Sequence, residues 1–204
     1  MKAEYNEAKH TLQFKSVLML AGLFMIFVYC KSAYDYNNLQ SEYHNYIERT
    51  DSQLNEMNET IEQLSALQKK VDFVNKETEC LAKNIYFEAG SEPVEGKLAV
   101  AQVTRNRVKS GKFASTYCGV IYQRVKDKCQ FSWTCDGRSD KIKAPSLYKG
   151  AMKIAQDFLL RNKKSAIIGK DVYFYHANYV QPKWSDELSP VTTIGSHVFY
   201  KYGN

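Results

Sequence analysis

Apolar residues fill the stretch from Val17 to Tyr29 without a break, and polar residues return on both sides of it. The run has no polar face, so an amphipathic helix lying on a soluble domain does not explain it. It is shorter than the roughly 20 residues of an ordinary membrane-spanning helix, and a signal-peptide core is the competing interpretation. The residues around Cys30 are poor for cleavage, although Ala33 leaves that option open. We therefore predict an uncleaved signal anchor over residues 16–30.

The lysines around this run predict its orientation. Lys2, Lys9 and Lys15 precede it, and only Lys31 follows closely. Positive charge is retained on the cytoplasmic side of a membrane. We therefore expect a cytoplasmic tail over residues 1–15, a single pass through the inner membrane, and export of everything that follows to the periplasm.

The next segment, residues 31–77, has the pattern of a helical stalk. Residues 38 to about 76 contain no Gly or Pro and are rich in Glu, Gln, Asn and Leu. Apolar residues recur there at intervals of three and four, as in a short and imperfect coiled coil; they are Ile47, Leu54, Met57, Ile61, Leu64 and Val71. A homodimer through this stalk is one expectation, and a single amphipathic helix is the other.

Charge and cysteines separate this part of the chain from the rest. Residues 1–77 carry 8 basic and 11 acidic side chains and residues 78–204 carry 20 and 11, so the net charges are −3 and +9. The basic part indicates an anionic partner. It also contains four of the five cysteines, namely Cys80, Cys118, Cys129 and Cys135. An even set of four in a small exported domain favours two disulfides, with the pairing open. A zinc site is the alternative, but the sequence contains no C-x-x-C knuckle.

The pattern of residues along the chain changes at Glu79. Cys80 to Phe87 has the pattern of a helix, which Gly90 and Ser91 can end. Pro93 is placed to be the first residue of a second helix, which runs to about Val108. Glu88 then lies at a helix end beside apolar residues, and both conditions disfavour its ionised form. Such a carboxyl group can donate a proton near neutral pH, although a solvated glutamate is the simpler interpretation of the local sequence.

Four blocks, in order, resemble the spore-cortex-lytic type of cell-wall hydrolase. The first is FEAGSEPVEGKLAVAQVTRNRV from Phe87, which is similar to the family's run around its catalytic Glu. CGVIY follows from Cys118 and CQFSWTCDG from Cys129. The fourth block lies near the end of the chain and consists of FYHANYVQPKW from Phe174 and then IGSHVFYKYG from Ile194. The resemblance spans residues 79–203, and its cysteine-bearing form is similar to the Gram-negative and phage variety.

This resemblance implies a fold and a reaction for residues 78–204. The fold class is α+β, a lysozyme-like, mainly helical catalytic domain with a small β element, preceded by the transmembrane helix and the stalk. Glu88 would be the general acid of an enzyme that cuts the bond between N-acetylmuramic acid and N-acetylglucosamine in peptidoglycan. A lytic transglycosylase of this kind needs only one carboxylate. Two positions depart from the family's pattern, since its usual Arg after E-A is absent here and Lys97 replaces a common Gln.

The same blocks supply the expected substrate contacts. Aromatic rings stack on the faces of sugars, and amides bond their hydroxyl and acetamido groups. On that basis the expected glycan-binding residues are Gln130, Phe131, Ser132, Trp133, Tyr175, His176, Asn178 and Trp184, with a core role as the alternative for Phe131 and Trp133. Glu92 and Glu95 are secondary acidic candidates, whose simpler role is to complement a helix dipole.

Other functions remain as alternatives. A hydrolytic muramidase would need a second carboxylate, from Glu95, Asp136 or Asp186. A non-catalytic, membrane-anchored wall-binding protein would need only the basic domain. Export argues against nucleic acid as a partner. H-E-x-x-H, P-loop and G-x-G-x-x-G motifs are absent, and we expect neither a metal nor a cofactor. Either phage lysis or wall remodelling would suit an anchored enzyme of this size.

Overall fold

The structure is a computed structural model that describes residues 2–160 and 167–203, with side chains from residue 12 onward. The side chains of Lys2 and Lys9, on which the predicted orientation depends, lie outside the described residues. Contacts between Cα atoms divide the chain into two compact units, residues 1–66 and residues 67–204. Our predicted boundary between stalk and catalytic domain, at residue 77, falls inside the second unit.

The first unit is helical. It belongs to α1, a single continuous helix from Lys2 to Ala89. The sequence predicted three successive segments over this range. All side chains of residues 12–66 are exposed, including the apolar ones. By length and composition, the apolar part of α1 could cross a membrane, a test that a signal sequence also passes.

The second unit contains the end of α1 and the remaining elements. Its helices are α2 (Val94–Lys109), α3 (Tyr117–Ile121) and α4 (Pro145–Leu160), with short 3-10 helices at Ser132–Thr134 and Lys183–Glu187. Its strands are β1 (Arg124–Val125), β2 (Lys128–Cys129), β3 (Val172–Ala177), β4 (Leu188–Ile194) and β5 (His197–Tyr202). The prediction of a mainly helical domain with a small β element is confirmed.

The larger sheet has the order β3-β5-β4, with antiparallel neighbours throughout. Tyr175 on β3 lies opposite Phe199 on β5, and a tight turn joins β4 to β5. Gly195 occupies that turn with φ +58°, a conformation that costs glycine little. A Cβ atom at this position would also collide with the carboxylate of Glu92. The turn between β4 and β5 therefore lies directly against Glu92, in the loop between α1 and α2.

In the part of the chain that the structure describes, the core consists of three apolar clusters that meet at α1 and α2. Leu81 and Ile85 of α1 pack with small residues of α2 and α4. Cys80 packs with Val120 and Ile121 of α3 and with aromatic residues that follow β2. The third cluster joins α2 to the sheet and contains Ala99, Val103, Ile168, Val172 and Phe199.

α1 ends at Ala89, where Gly90 and Ser91 predict the end of a helix. A Cβ atom at Gly90 would lie 2.5 Å from the carbonyl oxygen of Tyr86, so a larger residue would force the chain to move.

The predicted start of α2 was wrong by one position. Pro93 is its N-cap and not its first helical residue, since its ψ of 165° is extended.

Candidate active site

Glu88 lies in the last turn of α1 and lines a groove of about 980 Å³. Earlier turns of the helix are fixed by Leu81 and Ile85, which are completely buried. The side chain of Glu88 is half-buried, so its carboxyl group is both restrained and accessible from the groove. This position suits a group that must meet a ligand in a defined orientation.

One hydrogen bond orients the carboxyl group. The hydroxyl of Tyr175 on β3 donates to Oε2 of Glu88 at 3.0 Å. The acid proton of a neutral Glu88 therefore belongs on the other oxygen, Oε1. Among the described residues, no side chain forms an ion pair with Glu88, so the group is not tied to a permanent countercharge.

Burial raises the pKa of Glu88 above its ordinary value, and this is the dominant effect. The Tyr175 hydrogen bond and the positive charge of Arg107 act in the opposite direction and only reduce the shift. The end of α1 adds a dipole that also disfavours a negative charge. The protonated form of Glu88 is thus favoured at a higher pH than that of an ordinary glutamate.

The segment from Gln130 to Trp133 forms the base of the groove. All four residues line it, but Phe131 and Trp133 are only 3% and 7% exposed and belong to the core. The ring of Trp133 stacks on Phe87 at 4.5 Å, and its Nε1 donates to Oδ1 of Asn84 at 2.9 Å. Half-buried Gln130 and exposed Ser132 present polar groups above this layer. The two aromatic residues therefore support the groove wall, and the two polar residues are better placed to contact a ligand.

Aromatic residues from β3 and the following loop form another part of the lining. Trp184 lines the groove with 38% of its surface exposed, so part of its side chain is accessible to a sugar. His176 also lines it, but one ring nitrogen lies 2.8 Å from the hydroxyl of Tyr200 and the other lies 2.9 Å from the carbonyl oxygen of Ala177. Exposed Asn178, the remaining predicted contact, is not part of the lining.

Neither secondary acidic candidate lines the groove. Glu92 accepts hydrogen bonds from the backbone N–H and the hydroxyl of Ser196, which lower its pKa. It joins the loop after α1 to the turn before β5. Glu95 is an exposed residue in the first turn of α2. Of the other carboxylates considered as a second acid, Asp136 lines the groove and Asp186 does not.

The groove also contains residues that sequence reasoning missed. Arg107 and His197 are buried lining residues, and Tyr179 is a lining residue that is 82% exposed. Arg138, Lys141 and Lys143 add positive charge at one side. Periodicity did not mark Arg107, because all residues from Ala99 to Arg107 are buried and this part of α2 has no exposed face.

All four cysteines of the basic part form disulfides. Cys80 of α1 is joined to Cys118 of α3, and Cys129 is joined to Cys135. The first bridge restrains the helix that carries Glu88, and the second encloses the segment from Gln130 to Thr134. No group of three His, Cys, Asp or Glu side chains that could hold a metal ion exists within the described ranges.

Comparison with known proteins relates this groove to a family. The family model described as Cell Wall Hydrolase matches residues 91–200, a range that begins three residues after Glu88. The spore cortex-lytic enzyme of Bacillus subtilis (strain 168) is 28% identical over 132 residues, which are 62% of this chain and 38% of that protein. The spore cortex-lytic enzyme of Bacillus cereus is also 28% identical, over 63% of this chain and 46% of its own length. The chain thus corresponds to less than half of either relative.

Two solved structures are also similar. The catalytic domain of the Bacillus cereus SleB protein has 25% sequence identity and a TM-score of 0.47, and the match covers 62% of this chain and 91% of that one. The catalytic domain of the germination-specific lytic transglycosylase SleB from Bacillus anthracis has 27% identity and a TM-score of 0.48, with 61% and 93% covered. The family match, which extends over more than half of the 204 residues, confirms the resemblance read from the sequence: this chain belongs to the Cell Wall Hydrolase family.

Proposed function

We propose that this protein degrades peptidoglycan by cutting the glycan bond between N-acetylmuramic acid and N-acetylglucosamine, and that it works as a lytic transglycosylase. One observation carries the proposal. A half-buried carboxyl group, Glu88, lines the groove in an environment that favours its protonated form. A neutral acid beside a groove is the group that protonation of a glycosidic oxygen requires.

The proposed reaction uses Glu88 twice. First, Oε1 gives its proton to the bridging oxygen, the bond to the N-acetylmuramic acid carbon breaks, and the electron pair leaves with the N-acetylglucosamine. The resulting carboxylate then removes the proton from the C6 hydroxyl of N-acetylmuramic acid, whose oxygen attacks the electron-poor carbon. The product is an anhydro sugar end, and Glu88 is protonated again. No water is consumed.

The other groove residues suit such a substrate. Trp184 and Tyr179 offer exposed rings for sugar faces, and Gln130 and Ser132 offer hydrogen bonds for hydroxyl and acetamido groups. The basic side chains at one side, Arg138, Lys141 and Lys143, complement the carboxylates of stem peptides. In the proposed reaction, Tyr175 orients the carboxyl group of Glu88 and Trp184 contacts the substrate.

A hydrolytic muramidase is the second candidate, and one observation favours it. The carboxylate of Asp136 lines the same groove as Glu88 and could act on a water molecule. Products distinguish the two reactions. Mass spectrometry of digested sacculi should show glycan ends lighter by one water than those of a hydrolase, and hydrated reducing ends alone would assign the hydrolytic reaction.

The test of the acid compares full-length variants on purified sacculi. Glu88→Gln keeps the shape of the side chain but removes its proton, so we expect lysis to fall by about 10²–10⁴-fold, the usual contribution of general acid–base catalysis. Glu95→Gln is the matched control, because this exposed glutamate lies outside the groove and should lyse like wild type. A non-catalytic wall-binding protein would instead bind sacculi without lysing them, in either form.

We propose further that the apolar run of α1 anchors the protein in the inner membrane with its amino terminus in the cytoplasm. Two disulfides in the second unit fit an oxidising compartment such as the periplasm. Exposed apolar residues at intervals of three and four, such as Leu54, Met57 and Ile61, support a parallel dimer through the stalk. Phage lysis and wall remodelling are both compatible with an enzyme held in this way.

A further inference from the structure

Arg107 is a buried cation at the site. It lies on α2, is only 5% exposed, and lines the groove together with Glu88. Burial of a guanidinium group is costly unless hydrogen bonds and countercharges compensate for the lost water. The partners of this side chain therefore indicate what it does.

The guanidinium group of Arg107 has an incomplete set of hydrogen-bond and charge partners. Nε donates to the carbonyl oxygen of Tyr173 on β3 at 2.8 Å. The guanidinium carbon lies 4.9–5.8 Å from the ring centres of Phe113, Phe131 and Phe174, which hold the head in place. Within the described residues Arg107 forms no ion pair, and its Nη1 is buried without a hydrogen-bond partner. Such unpaired groups are rare in folded proteins and call for an explanation.

Within the described residues, three ionisable side chains on different elements interact electrostatically with the guanidinium group. They are Glu88 on α1, Tyr175 on β3 and Tyr202 on β5. Burial raises the pKa of Tyr175 well above its ordinary value, so this residue stays neutral while Glu88 titrates. Glu88 is thus the carboxylic acid on which the charge of Arg107 acts, and the Tyr175 hydroxyl already donates to Oε2 of the same group.

We propose that Arg107 is a positioning residue for Glu88, whose free Nη1–H becomes the donor to the carboxylate that forms when Glu88 gives its proton to the glycan. This inference rests on the proposed function. A neutral Glu88 needs no countercharge, which agrees with the unpaired Nη1 of the structure. The carboxylate left after proton transfer does need one, because it stands in a partly desolvated site. Arg107 stabilises it until the proton of the C6 hydroxyl arrives, and then the pair separates.

The test uses the full-length protein in detergent and purified sacculi, with initial rates measured across pH. Arg107→Met removes the charge and keeps much of the apolar stem. Loss of a nearby opposite charge raises the pKa of a carboxyl group by about one unit or more. The alkaline limb of the rate profile should therefore move up by about one pH unit, and the maximal rate should fall by about tenfold, with little change in the sacculus concentration for half-maximal rate.

Two further variants complete the test. Arg107→Lys keeps a charge but has a single ammonium group for both the Tyr173 carbonyl and Glu88. The alkaline limb of its rate profile should therefore move upward by less than that of Arg107→Met. Arg105→Met is the matched control. Arg105 is two residues earlier on α2 and is also buried, but it stacks on Phe158, bonds to Gln102 and lies outside the groove. The alkaline limb of the Arg105→Met rate profile should therefore not move.

The outcomes separate the two proposals. A wild-type protein that creates no new glycan ends would refute the proposed function, and this inference with it. An active wild type with a folded Arg107→Met or Arg107→Lys variant whose alkaline limb stays in place would refute the role of Arg107 alone. Failure of Arg107→Lys to fold, although the positive charge is retained, would assign the side chain to the core and would also overturn the proposal.

Discussion

The disulfide between Cys80 and Cys118 should make a large contribution to stability, because it closes a long loop. The two cysteines are separated by 38 residues. Loop-closure entropy for that length gives about 4 kcal/mol, whereas the six-residue separation of Cys129 and Cys135 gives about 2 kcal/mol. For a unit of this size, the corresponding losses in melting temperature are on the order of 14 °C and 7 °C.

The assay is thermal unfolding of the full-length protein, followed by the combined fluorescence of buried Trp133 and exposed Trp184. Each disulfide is removed by a double Cys→Ala substitution, and Cys30→Ala is the control because Cys30 is a free, exposed cysteine. The Cys80/Cys118 variant should melt well below the Cys129/Cys135 variant. Equal melting temperatures, or a smaller loss for the longer loop, would refute the loop-closure reasoning.

Three more predictions follow from the site and the anchor. Tyr175→Phe removes the donor to Oε2 of Glu88, so the pKa of Glu88 should rise and the alkaline limb of the rate profile should move to higher pH. Tyr173→Phe is the control, because Tyr173 lies outside the groove. An unmoved alkaline limb in Tyr175→Phe would contradict the assignment. The stability that Glu88 contributes is fully present below its unfolded pKa and is lost as pH rises through its higher folded pKa. The melting temperature of Glu88→Gln should therefore rise relative to that of wild type over this pH range. Parallel curves of melting temperature against pH for the two proteins would show that burial does not perturb this carboxyl group. The protein should stay with membranes after a carbonate wash, and a soluble form that starts near Ala33 would instead identify residues 16–30 as a cleaved signal peptide.

Local sequence predicted the elements around Glu88 well, because the signals there are local. α1 ends at the residue before Gly90, as the glycine predicted, and Val100, Ala101 and Val103 of α2 are buried, as their apolar character predicted. Four motif blocks in order then identified the family. These features depend on residues close together in the chain, for which spacing is informative.

The remaining features depend on distant parts of the chain. The disulfide pairing could not be read from four cysteines, since three pairings are possible. The unpaired nitrogen of Arg107 and the hydrogen bond from Tyr175 to Glu88 both require β3 to lie against the ends of α1 and α2. Nor could spacing show that Glu92 is bound to Ser196, which is 104 residues away.

The central claim is that the proton of Glu88 cuts glycan strands, and new glycan ends in purified sacculi test it most directly. Mass spectrometry can count these ends after equal amounts of wild type and Glu88→Gln have acted for the same time. Wild type should produce anhydro ends with the peptide cross-links intact, and Glu88→Gln should produce almost none. New ends formed by Glu88→Gln at the wild-type rate, or wild-type products in which only peptide bonds are cut, would contradict the account.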